Sequence, residues 1–290
     1  MKIGFIGAGK VAKGFGIYLK ESGLELSGFY SRTLESAQEA AKLTNSKSLA
    51  LEEVAKNSTV VFITTPDDLI EKVCNEVAEQ VGFSQGQTIA HMSGSLSSEQ
   101  LKMAKQQGCN TFSLHPLQSF ADPVASAEKL KDTFFAWEGK GNKKDISNIL
   151  TVLGNNNTEI SPEDKSLYHS AACIASNYLV TLLDSAIKLL EDTGIDRELS
   201  CEIISNLATG TVSNISNLDT TQALTGPIVR GDVSTISSHL DAYEKKGLLE
   251  IKNIYALMGL KTLDIAAKRG LSPEKIDHIK KILKEENFNE

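Results

Sequence analysis

The sequence holds only four cysteines, Cys74, Cys109, Cys173 and Cys201, with no two close together and no CxxC. Neither a zinc site nor a redox pair is therefore signalled, and no other metal-ligand cluster stands out. Also missing are a carboxylate pair in a glycosidase-like setting, a serine in a nucleophile-elbow context and a P-loop. No charge dominates: 30 Lys+Arg stand against 37 Asp+Glu, a formal net charge of −7. This mild acidity argues against nucleic-acid or anionic-membrane partners. The one charged cluster, Lys275–Lys284, is mixed in sign and reads as a solvated helix face. No leader is signalled, because Met1-Lys2-Ile3-Gly4-Phe5 already reads as a strand. The most apolar long segment, Tyr168–Leu190, carries His169, Asn177, Asp184 and Lys188. It reads as a buried core helix, not a membrane span. A cytoplasmic location is the default expectation.

What is present is a globular composition, 41% hydrophobic and 23% charged over 290 residues. That length suits one large domain or two ordinary ones. The first half alternates β-rich runs (Lys2–Ile6, Glu25–Tyr30, Val60–Thr64, Thr88–Met92, Thr111–Leu114, Phe134–Glu138) with helical stretches (Lys10–Glu21, Leu34–Leu43, Asp68–Gln80, Ser97–Gln106). Alternation with nearly continuous apolar strands predicts an α/β fold: a Rossmann-type, doubly wound, mostly parallel sheet. The closer spacing of the later strands leaves room for an antiparallel member. Near Gly154–Ser161 the chain turns polar and turn-rich, and strand signals stop. The expected organisation is a nucleotide-binding domain over 1–160 and an all-helical C-terminal domain over 161–290. Helix breaks are expected at Gly194, Gly210, Gly226-Pro227, Gly247 and Gly270. The last helix should open at Ser272-Pro273-Glu274.

Gly7-Ala8-Gly9-Lys10-Val11-Ala12 follows the first strand and opens a helix. Gly7 permits the tight turn, Gly9 lets the backbone approach a pyrophosphate, and Ala12 lets helix pack on strand. The amides of the first helical turn favour phosphate. After the second strand comes Ser31-Arg32-Thr33. An NAD site wants a carboxylate there for the ribose 2′-hydroxyl; here a guanidinium between two hydroxyls suits a 2′-phosphate, so NADP(H) is expected. Thr65-Pro66 and Ser93 follow later strands at carboxyl ends, where ribose or nicotinamide would lie; Ser93 could equally cap the next helix.

His115 and Gln118, in His115-Pro116-Leu117-Gln118, follow the sixth strand and could contact a substrate carbonyl or carboxylate, or only shape a domain interface. His169, Cys173 and Asn177 fall at i, i+4 and i+8, one polar stripe on an apolar helix. A buried polar stripe suggests a cleft. His169 could protonate the alkoxide formed in hydride transfer, or be a satisfied interface histidine. Leu179, Leu182, Leu183, Ala186, Leu189 and Leu190 should then carry the core. In Thr225-Gly226-Pro227-Ile228-Val229-Arg230-Gly231-Asp232, Arg230 could clamp a substrate carboxylate or bridge helices, and Asp232 could accept from a substrate hydroxyl or cap a helix.

Together the GAGKVA, SRT, TTPD, HPLQSF and TGPIVRGD segments resemble a bacterial family of Rossmann-like proteins with an all-helical C-terminal domain of unknown function. The resemblance spans essentially the whole chain, and HPLQSF and TGPIVRGD are its specific parts. The wider group holds ketopantoate reductase, pyrroline-5-carboxylate reductase and 6-phosphogluconate dehydrogenase-like enzymes. The resemblance implies that the helical domain builds half the active site and a homodimer interface. In ketopantoate reductases a Lys and two Asn share one stripe of the first helix after the Rossmann domain. Registered on Asn177, His169 stands where that Lys would be and Cys173 where the first Asn would be. The expectation is an NADPH-dependent reductase of a small 2-oxo acid, 2-dehydropantoate foremost. His169, Asn177 and His115 would act on the carbonyl, and Gln118, Arg230, Asp232 and Cys173 would hold the substrate. A cyclic-imine reductase and a non-catalytic NADP(H) sensor remain open.

Overall fold

The computed structural model describes residues 1–285. The chain divides into two compact units, Met1–Tyr178 and Leu179–Glu290. The first unit is built on seven strands: β1 (Lys2–Ile6), β2 (Glu25–Tyr30), β3 (Val60–Ile63), β4 (Thr88–His91), β5 (Asn110–Pro116), β6 (Phe135–Lys140) and β7 (Asn157–Glu159). Their order is β2-β1-β3-β4-β5-β6-β7. Neighbours are parallel from β2 to β5, β6 is antiparallel to β5, and β7 is parallel to β6. Eight helices accompany them: α1 (Lys10–Glu21), α2 (Leu34–Leu43), α3 (Leu51–Asn57), α4 (Ile70–Gln80), α5 (Lys102–Gln106), α6 (Pro123–Lys129), α7 (Lys144–Leu153) and α8 (Lys165–Ala175).

The expected Rossmann-type sheet is therefore present, with the antiparallel member at β6. The chemistry of the strands explains it. Every residue of β3 and β4 is buried, so the strands read as continuous apolar runs and need cover on both faces. One face packs Phe5 between Phe29 and Phe62, at centroid distances of 4.8 and 5.7 Å, with Phe15 of α1 edge-on to Phe62 at 5.4 Å. The other face packs Ile6, Val61, Ile63 and Ile89 on Cys74 and Val77 of α4. Strand order reverses at β1, which has β2 on one side and β3 on the other. The carboxyl ends of β1 and β3 thus flank the topological switch point, where open α/β sheets bind ligands.

The second unit is helical: α9 (Asn177–Glu191, which begins at the junction), α10 (Arg197–Ala223), α11 (Pro227–Arg230), α12 (Val233–Lys245), α13 (Leu249–Lys268) and α14 (Pro273–Glu285). Its core joins α11 to α14 through Ile228, Ile236, Leu240, Ala256, Leu263, Ile279 and Leu283. The opening of α14 at Pro273 matches its Ser-Pro-Glu signal.

Several elements differ from the sequence reading. The stretch read as a boundary at 154–161 contains β7, a short exposed edge strand whose polar side chains hide its pairing with β6. The helix that begins at Lys165 groups with the sheet. Tyr168–Leu190 is two helices, because Ser176 leaves helical geometry (φ −120°, ψ −69°). Neither is a buried core: the most apolar 18-residue stretch within 162–191 has a mean hydropathy of 1.3, yet none of it is buried. Leu179, Leu182, Leu183, Ala186, Leu189 and Leu190 all keep solvent exposure. Finally, Gly210 lies inside α10, and the break falls at Asp219, whose φ of 70° is held by its carboxylate accepting from the Thr221 and Gln222 amides.

Candidate active site

A cavity of about 380 Å³ opens at the switch point, lined by Gly7–Gly9 after β1, Tyr30–Arg32 after β2, Thr64–Pro66 after β3, and Leu69, Lys72 and Glu76. Gly7 has a φ of 109°, and a Cβ there would sit 2.8 Å from the Thr64 carbonyl. The fold itself therefore demands this glycine. Gly9 differs: its φ is −76° and a Cβ would meet nothing within 4 Å. Nothing inside the chain requires glycine there, which fits a backbone left bare for a ligand. Lys10, Val11 and Ala12 open α1, with Ala12 buried under the helix. The rim carries Arg32, and Thr33 Oγ1 donates to Ser36 Oγ at 2.8 Å. No carboxylate stands at the end of β2; Glu76 reaches the cavity from α4, where Lys72 pairs with it at 3.8 Å. Thr65 Oγ1 is buried without a hydrogen-bond partner among the described residues. Such an orphaned hydroxyl asks for a polar ligand. Glycine turn, bare Gly9, guanidinium and orphan hydroxyl fit a phosphorylated dinucleotide.

Further along the carboxyl edge, at β4 and β5, a second group of side chains converges with α8. Ser93 Oγ donates to Asp67 at 2.7 Å and accepts from the Leu96 amide at 3.0 Å, so it ties down its own turn. Buried His91 accepts from the Ser93 amide through Nδ1, with Nε2 facing the Ser97 carbonyl at 3.0 Å. Burial, with the Lys165 charge nearby, lowers its pKa to about 4. His115 Nδ1 lies 3.1 Å from the Tyr168 hydroxyl. Burial and then the charge of Lys165 lower the His115 pKa to about 3, and burial raises Tyr168 to about 12. Both groups are thus neutral at working pH. Assigning the phenol as donor to Nδ1 leaves the ring proton on Nε2.

His115 and His169 stand edge to face with centroids 6.0 Å apart. Gly94 lies against both: a Cβ there would fall 2.8 Å from His115 Nε2 and 2.6 Å from His169 Nδ1. That His169 nitrogen is buried and unpartnered among the described residues, while Nε2 faces Cys173 Sγ at 3.7 Å. A buried imidazole nitrogen without a partner costs free energy that a ligand's polar atom would recover.

The sequence reading missed four of these residues, His91, Gly94, Lys165 and Tyr168. Lys165 is almost wholly buried, donating to the Ser93 carbonyl at 3.0 Å and to Ser113 Oγ at 2.5 Å. Burial lowers its pKa to about 8. Lys165, Tyr168 and His169 fall at i, i+3 and i+4, a one-face pattern that was there to be read. Gly94 carried a signal too, as the glycine of a Ser-Gly-Ser turn at a strand end.

Of the other expected site residues in the first unit, Asn177 and Gln118 do not join this group. Asn177 is exposed and opens α9 beyond the Ser176 break, so the stripe from His169 ends at Cys173. Gln118 donates to Thr133 Oγ1 at 3.2 Å and accepts from the Ser119 amide, both local uses. Arg230 and Asp232 belong to the second unit. Arg230 is exposed, 3.9 Å from Asp232. The Asp232 carboxylate accepts from the Thr235 amide and hydroxyl and from Ser234, which caps α12.

Residues 1–116 match the model of a Rossmann-like domain, and residues 133–262 match a domain of unknown function, DUF2520. A search of curated proteins finds no match. Among solved structures, protein TM1727 from Thermotoga maritima is 27% identical with a TM-score of 0.69, over 92% of this chain and 99% of that one. A pyrroline carboxylate reductase from Plasmodium falciparum, solved with NADP bound, is 16% identical with a TM-score of 0.60, over 99% and 98%. A reductive aminase from Aspergillus terreus, solved with NADPH and ethyl-5-oxohexanoate, is 13% identical with a TM-score of 0.58, over 98% and 92%. The last two likenesses are of fold alone.

Proposed function

We propose that this chain is an NADP(H)-dependent oxidoreductase that reduces the carbonyl of a small 2-oxo acid. The observation that carries the reading is the convergence of His115 Nε2 and the unpaired His169 Nδ1 on Gly94, on the sheet edge that also holds the glycine cleft. Gly7, Gly9 and the opening of α1 would hold the pyrophosphate, with Arg32 and its neighbouring hydroxyls on the 2′-phosphate and Thr65 on a ribose or amide group. NADPH, when bound, supplies the hydride. The chain's own residues do the rest. Neutral His115, oriented by Tyr168, donates a hydrogen bond to the substrate oxygen. His169 delivers the proton that the developing alkoxide needs.

The compound to try first is 2-dehydropantoate, on the strength of the motif resemblance. Imine reduction is the second reading, supported by the likeness in fold to a pyrroline carboxylate reductase and a reductive aminase. An iminium ion needs no proton donor at the reacting atom, so the two histidines favour the carbonyl.

The test follows NADPH absorbance against a panel of 2-oxo acids and cyclic imines. Turnover with an oxo acid and none with imines is the expected result; the reverse selects the imine reading. NADPH binding without turnover of either class leaves a sensor. In the same assay Arg32→Ala should raise the NADPH KM by on the order of 10–100-fold, the worth of a charge-assisted contact, and spare NADH. Equal effects on both cofactors would remove Arg32 from the 2′-phosphate.

We also infer that the chain works as a homodimer. In α10 only Ser200 and Ile204 are buried, while Leu199, Ile203, Leu207, Ile215 and Leu218 form an exposed apolar stripe at helical spacing. A stripe of that size on a water-facing helix needs a cover. Asp184 pairs with both Lys188 and Arg197, a poor surface for lipid. Sedimentation should give a dimer at micromolar concentration and a monomer for Leu207→Glu; a monomeric wild type would remove the inference.

A further inference from the structure

Lys165 is a buried cation without an ion-pair partner among the described residues. Its Nζ is spent on two neutral acceptors, the Ser93 carbonyl and Ser113 Oγ. Groups on every packed element face it, and the carboxylates among them, Glu138 and Asp67, act on its charge only at a distance. The Glu138 carboxylate on β6 accepts from the Ser98 amide and hydroxyl, and Asp67 beyond β3 accepts from Ser93 and Ser95. Both act on Lys165 at a distance, and neither forms an ion pair with it among the described residues. His91 on β4 and His115 on β5 are held neutral by burial and by this same charge. Tyr168 and His169, on its own helix, add no negative charge.

A charge removed from water and left unanswered is costly, by far more than a neutral polar group. An ammonium has three N–H donors, and only two are used here. The carbonyl it grips belongs to Ser93, the residue before Gly94, against which His115 and His169 converge.

We propose that Lys165 forms an anion subsite beside Gly94, which takes the carboxylate of the substrate and leaves the unpaired Nδ1 of His169 to the carbonyl oxygen. The assignment deepens the reductase reading and rests on it for the anion being substrate. It moves the carboxylate from Arg230, as the sequence suggested, to a buried residue of the first unit. Neutral ketones and aldehydes would then be poor substrates, because they leave the Lys165 charge unanswered.

The test uses oxamate, an unreactive 2-oxo acid isostere, and its neutral counterpart oxamide. Both are titrated calorimetrically into the full-length protein, with and without saturating NADP+. Oxamate should bind on the order of 10–100-fold more tightly than oxamide, the worth of a charged hydrogen bond. Lys165→Met should remove that margin. A second readout follows from the Lys165 pKa of about 8. At pH 8.5 the free site is largely deprotonated, and an anion favours the charged form. Oxamate binding should therefore take up a proton, seen as a dependence of the heat on buffer ionisation enthalpy. A purely structural lysine would show no such uptake.

Equal affinity for oxamate and oxamide, or oxamate binding without proton uptake at pH 8.5, overturns the proposal. Should Lys165→Met fail to fold, the uptake in the wild-type protein decides alone. The two readings fail separately. Anion binding with no NADPH oxidation sinks the reductase and keeps the subsite. Oxo-acid turnover with unselective oxamate binding does the opposite.

Discussion

His169→Ala is expected to lower turnover by on the order of 10²–10⁴, the usual cost of losing a general acid. Of the two adjacent histidines, only His169 can deliver a proton. His115 cannot act as an imidazolium at working pH, because burial and the Lys165 charge hold its pKa at about 3. Its ring is also fixed by Tyr168, which suits orientation and not proton exchange. His169 has a free Nδ1 beside Gly94 and only a long contact to Cys173 at Nε2. Removing it breaks no short hydrogen bond, so the fold should survive and the NADPH KM should stay unchanged. Stopped-flow oxidation of NADPH by the best oxo acid is the measurement. A turnover within a few-fold of wild type would take His169 out of the proton path. A raised cofactor KM instead would place it against the dinucleotide.

These two histidines also show what the sequence could and could not convey. β1, α1 and β2 match their sequence boundaries because local signals agree there: apolar strand, glycine turn, amphipathic helix. The cofactor cleft was legible for the same reason, since its parts are contiguous. The reaction site was only half legible. His115 and His169 stood out as chemistry-bearing types, but their meeting at Gly94 is a contact between residues more than fifty positions apart. Lys165 escaped because its burial is tertiary: its spacing puts it on one face with Tyr168 and His169, but nothing local says that this face turns into the sheet. The helix read as continuous to Leu190 failed at Ser176, a residue with no strong breaking signal. Its apolar side chains were read as core, because periodicity marks a face that wants cover and cannot say whether the cover belongs to the same chain.

Gly94→Ala should separate site geometry from chemistry, because it adds one methyl and removes no functional group. The backbone at Gly94 does not need a left-handed conformation, so alanine brings no strain of its own. The new Cβ, however, would lie within 2.6 Å of His169 Nδ1 and 2.8 Å of His115 Nε2. Both are inside van der Waals contact, so at least one ring must move. His115 is held by Tyr168, and its ring is packed in the unit. The looser His169 should be the one displaced. A shift of about 1 Å at a reacting group can cost on the order of 10²-fold in rate. The expected outcome is a loss of about that size in kcat, with NADPH affinity intact because the glycine cleft is a separate wall of the sheet edge. Oxamate binding should weaken in parallel, since the displaced nitrogen would no longer meet the amide carbonyl of oxamate. Wild-type turnover in Gly94→Ala would mean that the space above this glycine holds no reacting atom, and the substrate would then have to be sought elsewhere along the carboxyl edge.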